Sequence, residues 1–231
     1  ATVLQLMGRS TGALAFVFPG DRQFSPEEMS LVVTLASRCA GALERATLYE
    51  GERETALVLQ RRLLPAVMSV PAWLEVAARY EPAAGRQIGG DWFQLLRAGD
   101  DGDQRVVAAV GDAVGHGIPS AAAMGQLRAA LATAVASELD PVATLDLLDR
   151  FASQGRDTVG ASAVLAELDR DGTMHVVSAG HPPIVVVRAD GAAHAIEDGR
   201  RSLLGLQGTR PPHVSPVIEK LGPGDLIAMF T

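Results

Sequence analysis

The chain has a single cysteine, Cys39, so neither a disulfide framework nor a thiolate zinc site can form within one copy. A reducing compartment suits that composition, and a cytoplasmic protein is the expectation. Basic runs are missing too. With 20 Lys and Arg against 27 Asp and Glu, the formal net charge is −7, and no cluster of cations is available to displace the counterions of a nucleic-acid backbone. DNA and RNA are set aside as partners. No apolar run approaches the roughly 20 residues of a membrane-spanning helix, and the start lacks a basic segment leading into an apolar one. No membrane partner is therefore expected. Internal repeats and low-complexity tracts are also absent. What is present is globular material, 48% hydrophobic and 20% charged over 231 residues, enough for one large domain or two small ones. The chain opens inside what reads as a strand, which points to a longer parent protein.

Thr2–Met7 and Ala13–Phe18 are short apolar runs flanking Gly8-Arg9-Ser10-Thr11-Gly12, the pattern of a β-hairpin. Ser25-Pro26-Glu27-Glu28 supplies an N-cap, a proline at the first helical position and a capping-box glutamate. The helix it starts carries an apolar stripe, Met29, Val32, Ala36, Cys39, Leu43 and Ala46, spaced by threes and fours. That stripe has two readings, packing on its own domain or a dimeric coiled coil between domains. Pro65 ends the helix. Strand grammar follows at Leu74–Tyr80, Asp91–Leu96 and Arg105–Val110, then helices over Ile118–Leu139 and from Pro141 to about Ser153. Ala161–Leu168 and Met174–Ser178 flank Asp169-Arg170-Asp171-Gly172, whose Asp-Gly step signals a hairpin. Further strands are expected at Ile184–Val187, Val214–Lys220 and Asp225–Phe230. Strands, then paired helices, then strands again indicate an α+β sandwich.

Two segments carry chemistry: Ile88-Gly89-Gly90-Asp91-Trp92-Phe93 and Val110-Gly111-Asp112-Ala113-Val114-Gly115-His116-Gly117. If their strands pair as an antiparallel hairpin about Gly99–Gly102, Asp91 falls opposite Asp112, with α-carbons about 5 Å apart and side chains on one face. Carboxylates so placed repel, and a shared proton or bound cations relieve the repulsion. Two hard divalent ions about 3.5–4 Å apart, held by oxygen ligands, suit the spacing. The glycines leave room for water and ligand near the backbone. Either aspartate alone would read more readily as a turn or helix-cap residue.

These segments, with Ser178-Ala179-Gly180-His181-Pro182-Pro183 and Gly224-Asp225-Leu226, occur in the order seen in SpoIIE-type phosphatases, bacterial members of the PPM metal-dependent protein phosphatases. The resemblance spans about Leu59 to Thr231. Residues 1–49 resemble the last hairpin and helix of a GAF sensor domain, through Gly12-Ala13-Leu14, Phe24-Ser25-Pro26 and Ala42-Leu43-Glu44-Arg45. The expected organisation is thus a GAF-like fragment over 1–49, a connecting helix over 50–66, and a C-terminally incomplete phosphatase domain over 67–231. The resemblance implies a PPM-type α-β-β-α sandwich with two Mn2+ or Mg2+ at one edge. A bridging water would attack the phosphorus of a phosphoserine or phosphothreonine. Asp91 and Asp112 match the family's metal-binding aspartates, and the backbone carbonyl of Ala113 matches a further ligand. The implied substrate is a phosphorylated anti-anti-sigma (STAS) protein in bacterial signalling.

Other residues take lesser parts. His116 is a candidate general acid, and its flanking glycines also suit a turn that launches the next helix. Arg86, Gly89 and Gly90 are candidates for substrate phosphate, and His181 for supporting the site. Two departures from the family pattern stand out. Gln94 occupies a position that is often acidic, and the sequence given stops at Thr231, where the family continues into a metal-binding Thr-Asp-Gly. A pseudophosphatase that binds its partner without hydrolysis is therefore the alternative, and weak metal binding and little turnover are expected of this chain. A metal-dependent nuclease fits less well, for want of a basic approach surface.

Overall fold

The structure is a computed structural model that describes residues 2–6, 9–15, 23–63, 70–80, 89–99, 105–206 and 213–231. It forms two compact units, Ala1–Thr55 and Ala56–Thr231, taken here in turn.

In the first unit β1 (Thr2–Leu6) and β2 (Arg9–Leu14) make an antiparallel ladder with an irregularity at Leu4/Gln5. The hairpin exists, while Met7, Gly8 and the expected strand end at 16–18 lie outside the described residues. Arg9–Gly12 is strand rather than turn, because its backbone groups find ladder partners in β1. The helix α1 (Pro26–Leu63) begins with the expected reciprocal cap. Glu28 N–H donates to Ser25 Oγ at 3.2 Å and Ser25 N–H to Glu28 Oε2 at 2.9 Å, which satisfies two otherwise orphaned donors. Within this unit Ala36 and Ala40 are buried and pack with Leu14. The stripe is split: Val32 and Ala36 face inward, whereas Met29, Cys39, Leu43 and Ala46 are exposed.

The second unit is a two-sheet sandwich. Its larger sheet has the order β10-β6-β5-β4-β3, from β3 (Asp91–Ala98), β4 (Arg105–Asp112), β5 (Ser162–Asp169), β6 (Thr173–Ala179) and β10 (Val217–Lys220). The smaller sheet, β11-β7-β8, is built from β7 (Ile184–Val187), β8 (Ala193–Ile196) and β11 (Leu226–Ala228). A two-residue strand, β9 (Arg200–Arg201), pairs in parallel with β6 and makes the larger sheet mixed. The strands β8 and β9 were not foreseen. The first is nearly all exposed and the second too short to show a period. Leu74–Tyr80, expected as a strand, is irregular and belongs to none of the sheets formed by the described residues. Leu74 and Val76 keep their alternating half-burial there, which shows that side-chain period alone does not make a strand.

Side-chain alternation sorts the larger sheet into two faces. One carries Trp92, Val107, Ala109, Ala163, Leu165, Val177 and Ala179, packed with Met124, Leu127, Leu131, Leu145 and Leu148 of α2 (Ile118–Ala136) and α3 (Pro141–Ala152). The other carries Val164, Ala166, Leu168, Met174 and Val176, packed with Ile184, Val186 and Ile196 of the smaller sheet. The Asp140 side chain caps α3 by accepting Ala143 N–H at 2.8 Å, and Pro141 stands at the first helical position. The fold is the expected α+β sandwich, its apolar centre lying on both sides of β4, β5 and β6.

Candidate functional site

The register of β3 and β4 pairs Asp91 with Asp112, and that of β4 and β5 pairs Asp112 with Ser162. The predicted opposition of the two carboxylates is therefore present in the ladder. Both lie on the face turned to the smaller sheet, in a row that crosses three strands at one end of the sandwich. Burial by surrounding protein, and then the negative charge of Asp91, push the Asp112 carboxyl above the usual range, although the residue is open to solvent on its outer side.

Glycine shapes this row at two places. Gly90 is buried. A β-carbon there would collide with the Ala113 carbonyl and come within 2.5 Å of Asp112 Oδ1. The two backbones meet closely because Ala113 N–H donates to Gly90 O at 3.0 Å. At Gly111 a β-carbon would lie 2.5 Å from both Ser162 O and the Trp92 ring, so its absence lets the buried indole pass across β4. Asp112 thus projects from a strand end held on both sides.

The remaining candidates take distinct places. The Ala113 carbonyl accepts from the buried Ser120 Oγ at 3.3 Å, which ties the Asp112 loop to the first turn of α2. His116 is exposed on the loop from Asp112 to α2, and Gly117 is the N-cap residue of that helix. Gly89 is half-buried, with its β-carbon position 3.4 Å from Asp91 Oδ2. Arg86 lies outside the described residues. Gln94 turns out to stand on the opposite face of β3 from Asp91, three residues on, with its Oε1 buried and without a hydrogen-bond partner among the described residues. From that face it cannot reach the carboxylate pair.

His181 is more deeply built in than a turn residue would be, with 1% of its surface exposed. Its Nε2 lies 3.1 Å from Phe230 O and its Nδ1 2.8 Å from Ser162 Oγ. A carbonyl only accepts, so Nε2 carries the proton and Nδ1 of the neutral ring accepts from the serine hydroxyl. Burial holds its pKa below the ordinary range; the Phe230 bond and the Asp91 charge oppose that shift, and Arg200 adds to it. Sequence reasoning missed Ser162 and Phe230, since neither residue type marks a site by itself.

Hard oxygen donors, a glycine gap beside them and a carboxylate whose neighbour makes its charge costlier are what a divalent cation would relieve. The residues present fit such an ion. Among the described residues, no third His, Cys, Asp or Glu joins the pair to make a larger ligand cluster.

Comparison with known proteins bears on the fold and the family. The RsbU and RsbW domains of Rv1364c from Mycobacterium tuberculosis are 38% identical to this chain, with a TM-score of 0.54 over 65% of it and 40% of that chain. The SiaA-PP2C domain of Pseudomonas aeruginosa gives a TM-score of 0.60 at 21% identity, covering 80% of this chain and 72% of that one. The PP2C phosphatase domain of SpoIIE from Bacillus subtilis, with a fragment of its regulatory domain, gives 0.51 at 21% identity, covering 61% and 40%. The last two share the fold. The chain spans less than half the length of the M. tuberculosis relative. The family model described as stage II sporulation protein E matches residues 102–231, more than half of the sequence, and the chain belongs to the SpoIIE family.

Proposed function

We propose that this chain is a divalent-metal-dependent protein serine/threonine phosphatase. The observation that carries the reading is the in-register opposition of Asp91 and Asp112 at one end of the sandwich. Asp91, Asp112 and the Ala113 carbonyl would hold Mn2+ or Mg2+, two ions in the family's pattern. When bound, such ions activate a water molecule and offset charge on the phosphoryl oxygens. The protein's own residues prepare the place. Gly90 keeps the ground before Asp112 Oδ1 and Ala113 O clear of side chain, and Gly89 borders the same gap beside Asp91. His116, exposed four residues after Asp112, would hand a proton to the departing serine oxygen. Arg86 belongs to the same reading as a phosphate contact.

The substrate proposed is a phosphorylated STAS anti-anti-sigma protein in the bacterial cytoplasm. Similarity to a mycobacterial chain that carries RsbU and RsbW domains supports a protein substrate in signalling. A GAF-like origin for residues 1–49 and a homodimer through α1 complete the reading. The dimer is supported by Met29, Cys39, Leu43 and Ala46, the members of the apolar stripe that stay exposed on that helix. The competing view, a pseudophosphatase, draws on the pair having no third acidic or histidine partner among the described residues.

Mn2+-dependent phosphate release from a phosphoserine protein, measured beside Asp112→Asn, tests the assignment. Metal-dependent turnover lost in the variant supports the phosphatase. A folded wild type that binds Mn2+ and the phosphoprotein without releasing phosphate would instead establish the pseudophosphatase.

A further inference from the structure

The two sheets of the second unit meet through apolar side chains along most of their length. At the carboxylate end the contact changes character. There the buried ring of His181 joins Ser162 of β5, the residue opposite Asp112, to the carbonyl of Phe230 beyond β11. Its own carbonyl accepts Arg200 Nη2 at 2.9 Å. Two sheets that needed only cohesion would be joined more cheaply by hydrocarbon, because each buried polar atom of the ring must find a partner. A neutral imidazole adds direction. One nitrogen donates and the other accepts, so its two partners cannot be exchanged.

We propose that His181 is a positioning residue that fixes the segment Met229–Thr231 against the Asp91–Asp112 row. It does so by making the placement of Phe230 depend on Ser162, the β5 residue paired with Asp112. The backbone after β11 then becomes part of the same site as the carboxylates. The link to metal binding rests on the reading of that pair given above, whereas the placement of the segment does not.

The test uses the full chain as wild type, His181→Ala, His181→Gln and Ser162→Ala, with hydrogen exchange of the metal-free proteins and Mn2+ binding by calorimetry. His181→Ala should speed exchange in peptides covering residues 226–231 by about tenfold, the worth of one good buried hydrogen bond, and leave α2 and α3 unchanged. It should weaken Mn2+ binding by about tenfold, as loss of an orienting partner does. His181→Gln retains an N–H for Phe230 O and should recover most of both effects. Ser162→Ala should fall between. Unchanged exchange at 226–231 in His181→Ala overturns the proposal. So does acceleration spread equally over α2, α3 and β11 with no recovery in His181→Gln, the signature of a merely structural ring. If the wild type binds no Mn2+, the metal reading of the carboxylate pair fails, and the exchange comparison alone decides the role of His181.

Discussion

Gly111-Asp112 and Gly224-Asp225 are the same dipeptide in the same unit, and their aspartates reach opposite electrostatic states. Asp225 accepts from Gly222 N–H at 2.9 Å, Arg188 Nη1 at 2.8 Å and Ala189 N–H at 2.9 Å. Those bonds, Gly222 first and Arg188 next, pull its pKa from 3.8 to about 2. The Arg188 guanidinium also bonds Glu219 and the Lys220 carbonyl, so Asp225 and Arg188 together lock the turn before β11 to the end of β7. Asp112 has no such company among the described residues: burial and the Asp91 charge both work against its ionised form. A carboxylate whose oxygens are saturated by the protein is structural. One placed where the protein makes charge more costly would gain most from a nearby cation. Both dipeptides carried the family resemblance in the sequence, and their hydrogen bonds set them apart.

The comparison can be tested at both ends. Asp112→Asn should reduce metal-dependent phosphate release by about 100-fold or more, beyond the loss usual for outer-sphere changes. Because it removes a repulsion, the melting temperature without metal should stay level or rise. Equal loss of fold and activity would erase the distinction between the two aspartates. Gly90→Ala comes next. Its β-carbon meets backbone of Ala113, and overpacking of this kind costs about 1–3 kcal/mol. Denaturant titration should show that loss together with weaker Mn2+ binding.

At the other end Asp225→Asn should lower the melting temperature without changing Mn2+ affinity. The sign with pH follows from a depressed folded pKa: the contribution is whole above 3.8 and disappears as pH falls toward about 2. Melting curves of wild type and variant should therefore converge over that interval, and a constant difference would show that the charge is not what stabilises. Arg188→Met should have the smallest effect. It leaves both backbone N–H bonds to Asp225, so the carboxylate pKa, followed by NMR titration, should return only partway to 3.8.

Much of the site was legible because its signals are local. Glycine-aspartate steps at two strand ends, joined by a short hairpin, set the register once pairing is assumed, and β3 and β4 keep that register without a bulge. The capping box of α1 and the proline starts of α2 and α3 were likewise readable from neighbours in sequence. His181 was legible as a motif member and not as a buried bridge, since its partners lie 19 and 49 residues away. Gln94 was misplaced in importance because spacing by three sends a strand residue to the other face.

The sequence by itself determined the class of fold, the order of its helices and most strands, and the pair of aspartates that share a face. These follow from turn chemistry, capping and periodicity, which act over a few residues. Tertiary structure decided which Gly-Asp is saturated, that Leu74–Tyr80 is irregular, and that Ser162 and Phe230 meet around one imidazole. Such outcomes depend on which distant backbone arrives alongside. A carboxylate is stabilised or left in want of a cation by the donors packed around it, and no local pattern specifies those.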